Sequence, residues 1–229
     1  MRYICILIIL CCFSCNNERV LQLPEVENAE ISEVLDVSPA YIFYDETQQD
    51  STLLNRKNLI ISTNWLVNVD KRLILRQAIP HIKFLQDKKR NAEMHKNEDA
   101  KNYFTCNDTS ISNLGFIEFT DIYYFNESSI SYYKKTPQPK LNKEFIAEVK
   151  NLNEISLFSS LENQEIIKTN YNTFVNDIHD LAEVENMRKI NLAFNFEQSL
   201  SFQDYISIKS ELLKIESDKI VIDTNEFIY

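Results

Sequence analysis

A single glycine, Gly115, serves the whole chain of 229 residues. Glycine is the residue that turns the backbone through positive φ, or brings it close to a ligand, without a Cβ in the way. Phosphate-cradling loops, dinucleotide fingerprints and nucleophile elbows each need glycines at fixed offsets, so none of them can be assembled here. That sets aside P-loop nucleotide chemistry, doubly wound dinucleotide binding and the serine-elbow hydrolases. Tight turns must use other residues, and asparagine, which is abundant and tolerates the left-handed region, is the expected substitute.

A hydrophobic content of 44% is enough for a sizeable core. The formal net charge is −10, with 24 basic against 34 acidic residues. Such a surface repels phosphate backbones, which argues against a nucleic-acid partner. The basic cluster Lys88, Lys89 and Arg90 reads as the solvated end of a helix.

The amino terminus reads as an export signal: Arg2, an apolar run from Tyr3 to Phe13, then Ser14 ahead of Cys15. The run is too short to span a bilayer, which takes roughly 20 apolar residues, and no later stretch approaches that length. A cysteine after a small residue at this point resembles the bacterial lipobox, with Cys12 and Phe13 standing where that pattern prefers Leu and a small residue. The resemblance implies cleavage before Cys15 and lipidation of Cys15. Four of the five cysteines (Cys5, Cys11, Cys12, Cys15) lie in or beside this segment, leaving Cys106 alone in the body and no intrachain disulfide for a monomer. The expected address is therefore exported and lipid-anchored to the cell membrane or outer membrane, on the periplasm-facing side.

Hydrophobic period organises the rest. Residues 1–14 form the signal and 15–40, with Pro24 and Pro39, an anchor and tether. Residues 41–133 make an α+β region. Its expected strands are Tyr41–Tyr44, a pair or bent strand over Leu59–Thr63 and Trp65–Val69, Tyr103–Cys106 and Phe116–Phe125. One helix carries Ile79, Ile82, Phe84 and Leu85, with Pro80 in its first turn, and Asp87–Lys101 continues it as an exposed helix or an insert. The two prolines of Lys134–Lys140 mark a linker at 134–140. Within the 141–229 domain, Leu141–Leu161 is ambiguous: Phe145, Ile146, Val149 and Leu152 suit a helix, while Ile155–Phe158 suits neither period clearly. Glu165–Thr169, a helix after Thr173, the alternating Ile190–Phe196, a helix capped by Ser201 and a final strand then give β-α-β-α-β. The expected class is α+β, with a β-rich N-terminal region containing one helix and a C-terminal two-layer βαβαβ unit.

The stretch INLAFNFEQSLSFQDYISIKSELLKIESDKIVIDTNEFIY, Ile190 to Tyr229, resembles the periplasmic module of the ExbD and TolR family of energy-coupling proteins in its order of strand, turn, helix and last strand. The likeness covers about 164–229. It implies a module that dimerises or grips an envelope partner, and no individual functional residue transfers. That family carries a membrane-spanning helix with a proton-handling Asp ahead of the module, and this chain has none, so a motor role does not carry over.

Chemistry-bearing residues are sparse. Cys106 beside Asn107 and Asp108 could be a thiol nucleophile if the fold brought His81, His95 or His179 to it. The histidines have no metal-ligand spacing, and no cofactor or metal is expected. Asp45 with Glu46 is one of many neighbouring acid pairs that could serve a glycosidase. Tyr123, Tyr124, Tyr132 and Tyr133 could form an aromatic binding platform, or pack as ordinary sheet residues. Three functional expectations follow: a non-enzymatic envelope lipoprotein acting as a binding or scaffold module, with an envelope protein or a second copy as partner; an accessory of energy-coupled envelope transport; and a thiol-dependent hydrolase using Cys106.

Overall fold

The computed structural model describes residues 19–136, 143–159, 164–184, 189–215 and 217–229; the signal segment, Cys15 and most of the expected linker lie outside them. In chain order the elements are β1 (Glu25–Val26), β2 (Val37–Tyr44), β3 (Thr52–Asn55), β4 (Asn64–Val69), α1 (Leu75–Arg90), β5 (Asn102–Asp108), β6 (Asn113–Glu118), β7 (Tyr123–Phe125), α2 (Ser129–Lys135), β8 (Lys143–Asn151), β9 (Glu154–Ser159), β10 (Gln164–Thr169), α3 (Phe174–Val184), β11 (Ile190–Phe196), α4 (Phe202–Leu213) and β12 (Ile220–Ile228). The class is α+β, with four α-helices and two mixed sheets of six strands each among the described residues.

In the first sheet the order is β3-β2-β4-β5, with β1 beyond β4 along one edge of β5 and β6 on its other edge. The strands β2, β4 and β5 run parallel, while β3 and β6 run antiparallel to their neighbours. In the second sheet the order is β10-β9-β8-β11-β12-β7, with β8, β11, β12 and β7 parallel and β9 antiparallel to both its neighbours. One apolar core contains residues of both sheets and of α1, α3 and α4. The reason for α1 is plain in its pattern: Leu75, Ala78, Ile79, Ile82 and Leu85 recur at three and four residues and are all buried.

Several expectations change. Leu59–Thr63 is a turn segment, and the strand beside β2 is Thr52–Asn55 instead. The helix starts at Leu75, so Pro80 sits in the second turn, where it forgoes the bond to the Arg76 carbonyl. That helix stops at Arg90, and Asn91–Lys101 is neither helix nor strand. Within Leu141–Leu161, the described residues 143–159 form the antiparallel pair β8 and β9 rather than the helix that Phe145, Ile146, Val149 and Leu152 suit by spacing, since Phe145, Ala147 and Val149 alternate inward. Phe116–Phe125 divides between the sheets: β6 pairs with β5, and β7 crosses to pair with β12. The C-terminal order β10-α3-β11-α4-β12 is as read, but β9 and β8 stand between β10 and β11 in the sheet.

The two sheets share one plan. In each, a hairpin (β2/β3, β8/β9) is followed by a strand parallel to the hairpin's first strand (β4, β11), a helix (α1, α4) and one more parallel strand (β5, β12). At one constant spacing Asn64, Asn68, Leu73, Ile79 and Leu85 correspond to Asn191, Asn195, Leu200, Ile206 and Leu212, and Asp70 corresponds to Glu197. The register agrees as well, for Ala40 stands opposite Val67 as Ala147 stands opposite Phe194. The Asp70 amide donates to the Ile42 carbonyl and the Glu197 amide to that of Val149, both at 2.9 Å. The two units meet at the starts of α1 and α4, where the bonds are reciprocal. The Leu75 amide donates to Leu200 and the Phe202 amide to Leu73; Arg76 donates to Gln198 and Gln203 to Lys71. The Ile74–Ser201 bridge sits at the centre, giving an intramolecular pair of like modules about a local twofold.

Gly115 is needed for close approach. A Cβ there would lie 2.5 Å from the Ala29 Cβ, because the segment after β1 is drawn onto β6. Asp108 draws it in, accepting from the amides of Ala29 (2.8 Å) and Asn28 (3.3 Å). The left-handed residues are Asn28, Asp36, Asp50, Ser51, His95 and Ser112, so asparagine supplies one of the turns and aspartate, serine and histidine the rest.

Candidate functional site

The four tyrosines do not assemble into one exposed face. Strand alternation in β7 turns Tyr124 into the core, where it is 2% exposed, and leaves Tyr123 46% exposed on the other side. The Arg90 guanidinium covers the Tyr123 ring at 4.1 Å. Tyr132 and Tyr133 come from α2 and are half-buried. Their rings meet edge to face at 5.3 Å and pack on Phe227, while the Tyr133 hydroxyl donates to Asp223. Burial, with Asp223 beside it, pushes the Tyr133 hydroxyl well above its ordinary pKa. Tyr124 is thus separated from the other three, and Tyr132 and Tyr133 form an edge-to-face cluster packed on Phe227.

Tyr124 instead joins a buried polar chain. Its hydroxyl lies 3.1 Å from that of Tyr205, which donates to Glu226 Oε2 at 2.6 Å; Lys209 Nζ pairs with Glu226 Oε1 at 2.5 Å. All four side chains are buried. Burial, then the Glu226 carboxylate, raises both tyrosine pKa values far above normal, so both hydroxyls stay protonated as donors. The corresponding positions of the first module are Ala78, Ile82 and, opposite Val67, Phe104. The same fold therefore closes with apolar residues there, and the ion pair is particular to the second module. Sequence reading placed Tyr205 on an apolar helix face; the signal for its real role was Lys209 one turn further along that same face.

Cys106 is fully buried in β5, opposite Gly115. Burial, reinforced by Asp108, pushes its thiol far above the ordinary cysteine pKa, the opposite of nucleophile activation. His81 Nε2 bonds Thr52 Oγ1 at 3.1 Å, and burial lowers its pKa. Among the described residues no group of three or more His, Cys, Asp or Glu could hold a metal ion.

Open concavities lie instead around the first hairpin. One, of about 460 Å³, is lined by Arg19, Val20, Tyr44, Asp45, Glu46, Thr47 and Arg72. Arg72 holds the buried Asp70 through Nε (2.9 Å) and a terminal nitrogen (2.8 Å) and lies over the Tyr44 ring at 4.8 Å. Burial would raise the Asp70 carboxyl, but the Arg72 side-chain and backbone bonds outweigh it and hold the pKa below normal. Asp45, expected with Glu46 as a chance acid pair, bonds Thr47 and pairs with Arg19 at 3.2 Å, while Glu46 accepts from the Tyr44 hydroxyl. The second concavity, of about 390 Å³, runs beside β3 and is lined by Arg19, Leu53, Leu54, Asn55, Arg56 and Lys57. In the first concavity Arg19 pairs with Asp45 and Arg72 with Asp70, while Glu46 has only the Tyr44 hydroxyl as a hydrogen-bond partner among the described residues; in the second, Arg56 and Lys57 have no ion pair among the described residues.

No family model, no curated protein and no solved structure matches this chain.

Proposed function

We propose that this chain is a non-enzymatic cell-envelope lipoprotein, held at a membrane surface through Cys15 and acting as a binding or scaffold module. The observation that supports it most is the local twofold: the chemistry-bearing groups of the body are spent on joining and filling two like modules. Lys209–Glu226 lies in the core, and Asp70–Arg72 and Asp108 anchor backbone. Among the described residues no helix is long and apolar enough to cross a membrane, so lipid on Cys15 is the attachment this reading requires.

The test is fractionation of cells making the wild type or Cys15→Ala, with and without globomycin. Lipid attachment predicts a membrane-bound mature form that the substitution abolishes, and a precursor that accumulates with the drug. Equal fractionation of both proteins would overturn the reading. A second reading, an accessory of energy-coupled envelope transport related to the ExbD and TolR proteins, draws on the pairing of two like modules in one chain. In-cell cross-linking that recovers an envelope partner would support it. A thiol hydrolase finds no support in a fully buried Cys106.

A further inference from the structure

The two modules differ at one edge. In the second module the hairpin strand β9 is covered on its outer side by β10, in the register Ile155–Thr169, Ser156–Lys168, Leu157–Ile167 and Phe158–Glu165. In the first module the counterpart of β9 is β3, which among the described residues pairs only with β2. Matching Ile42 opposite Leu54 with Val149 opposite Ile155 sets Leu54 and Asn55 in the places of Ile155 and Ser156, and Arg56 and Lys57 follow in the turn that ends β3. Those same four residues line the groove of about 390 Å³. The Asp45 amide donates to the Ser51 carbonyl across the β2/β3 pair. Antiparallel alternation from that bond directs the main-chain groups of Leu54 away from β2, into the groove. Among the described residues nothing pairs with them.

We propose that the outer edge of β3 is a docking site for an extended acidic segment of a partner protein, added antiparallel as a further strand of the first sheet. The molecule contains its own template, since β10 occupies the equivalent place in the second module. Main-chain hydrogen bonds supply the affinity of such strand addition, and the side chains at the rim supply the selectivity. The rim carries Arg19, Arg56 and Lys57 and no carboxylate. Arg19 is matched by Asp45, whereas Arg56 and Lys57 are exposed, Arg56 lying over the Phe84 ring at 4.5 Å. Carboxylates of an added strand therefore meet the cations of Arg56 and Lys57 at the end of this edge, neither of which has an ion pair among the described residues. A basic segment, or a second β3 edge with its own cations, meets repulsion.

This site deepens the binding-module reading and rests on it, but its test is independent of membrane attachment. The full-length chain in detergent is followed by hydrogen exchange while a terminally blocked octapeptide alternating valine with glutamate is added. The expected result is slowed exchange over Thr52–Lys57. Binding should weaken about tenfold or more, the worth of one or two hydrogen bonds, when the pairing amides of the peptide are N-methylated. A comparable loss is expected when its glutamates become lysines, or in the exposed double variant Arg56→Glu with Lys57→Glu. Protection elsewhere, equal binding of the N-methylated peptide, or no binding at millimolar peptide would overturn the site, leaving Arg56 and Lys57 as guards against edge pairing. Edge amides that are slow in the free chain and become fast when residues before Arg19 are removed would also overturn it, assigning the edge to the chain's own amino-terminal segment. Any of these failures would leave the Cys15 fractionation result unaffected.

Discussion

At the scale of single residues, the decisive quantity is what each side chain touches. Gly115 sits where a methyl would collide with Ala29, so Gly115→Ala should displace the segment that follows β1. We expect a loss of about 1–3 kcal/mol, typical of overpacking, read as a lower urea midpoint. Cys106 belongs to the core, and its thiol should react with iodoacetamide only at the rate of unfolding; modification in native buffer at the rate of a free thiol would contradict the burial. Lys89 is the instructive exception to solvated charge. Its ammonium donates to the carbonyls of Thr63 (3.0 Å) and Lys101 (2.8 Å) over the Trp65 ring, it has no ion pair among the described residues, and burial pushes its pKa down to about 8. The sequence marked Lys88, Lys89 and Arg90 as one solvated cluster; the fold separates them. Between pH 8 and the ordinary lysine value the unfolded chain holds a proton that the folded chain has lost, so stability rises with pH across that window, and the penalty is fully present below it. The check is the urea midpoint at pH 7.5 and 9.5 for wild type and Lys89→Met: the wild type should gain relative to the variant at the higher pH.

At the scale of elements, the second module carries an ion pair where the first carries apolar side chains. Removing one member strands a buried charge, and Lys209→Met or Glu226→Leu alone should cost about 3–5 kcal/mol. The double variant should recover a large part of that loss, because Ile82 and Phe104 fill the corresponding places in the first module. Chemical denaturation of the four proteins measures the coupling. Helices and alternating strands were legible wherever one face is apolar: α1, α4 and β11 could be read from spacing alone. Short or doubly buried strands were not, for β3 has four residues and β8 has adjacent buried positions, Phe145, Ile146 and Ala147, that blur the period of two.

At the scale of the whole molecule, the two sheets share one core and a reciprocal main-chain junction, so they should unfold together. Trp65, the sole tryptophan, reports the first module, and far-ultraviolet circular dichroism reports both; the two urea curves should coincide. A charge at the centre of the junction, Leu73→Asp or Leu200→Asp, should lower both probes together, whichever module bears it. Two separate transitions would show that the junction does not couple the modules. The candidate docking edge belongs to this scale as well, since only comparison of one module with the other reveals that, among the described residues, β3 lacks the neighbour that β9 has.

The amino-acid sequence by itself determined the class, the positions of the strongly periodic elements and the lack of any glycine-built nucleotide loop, because these depend on local period and on residue type. It also held the repeat, in the constant spacing of Asn68 with Asn195 and Leu73 with Leu200, but few identities carry it and the pattern of burial is what makes it visible. Tertiary structure alone decided that β7 crosses to the second sheet, that Tyr124 and Cys106 point inward, and that among the described residues β3 has no neighbour beyond β2. Those outcomes depend on which strands become neighbours, and pairing joins residues far apart in the chain, where no local preference reaches.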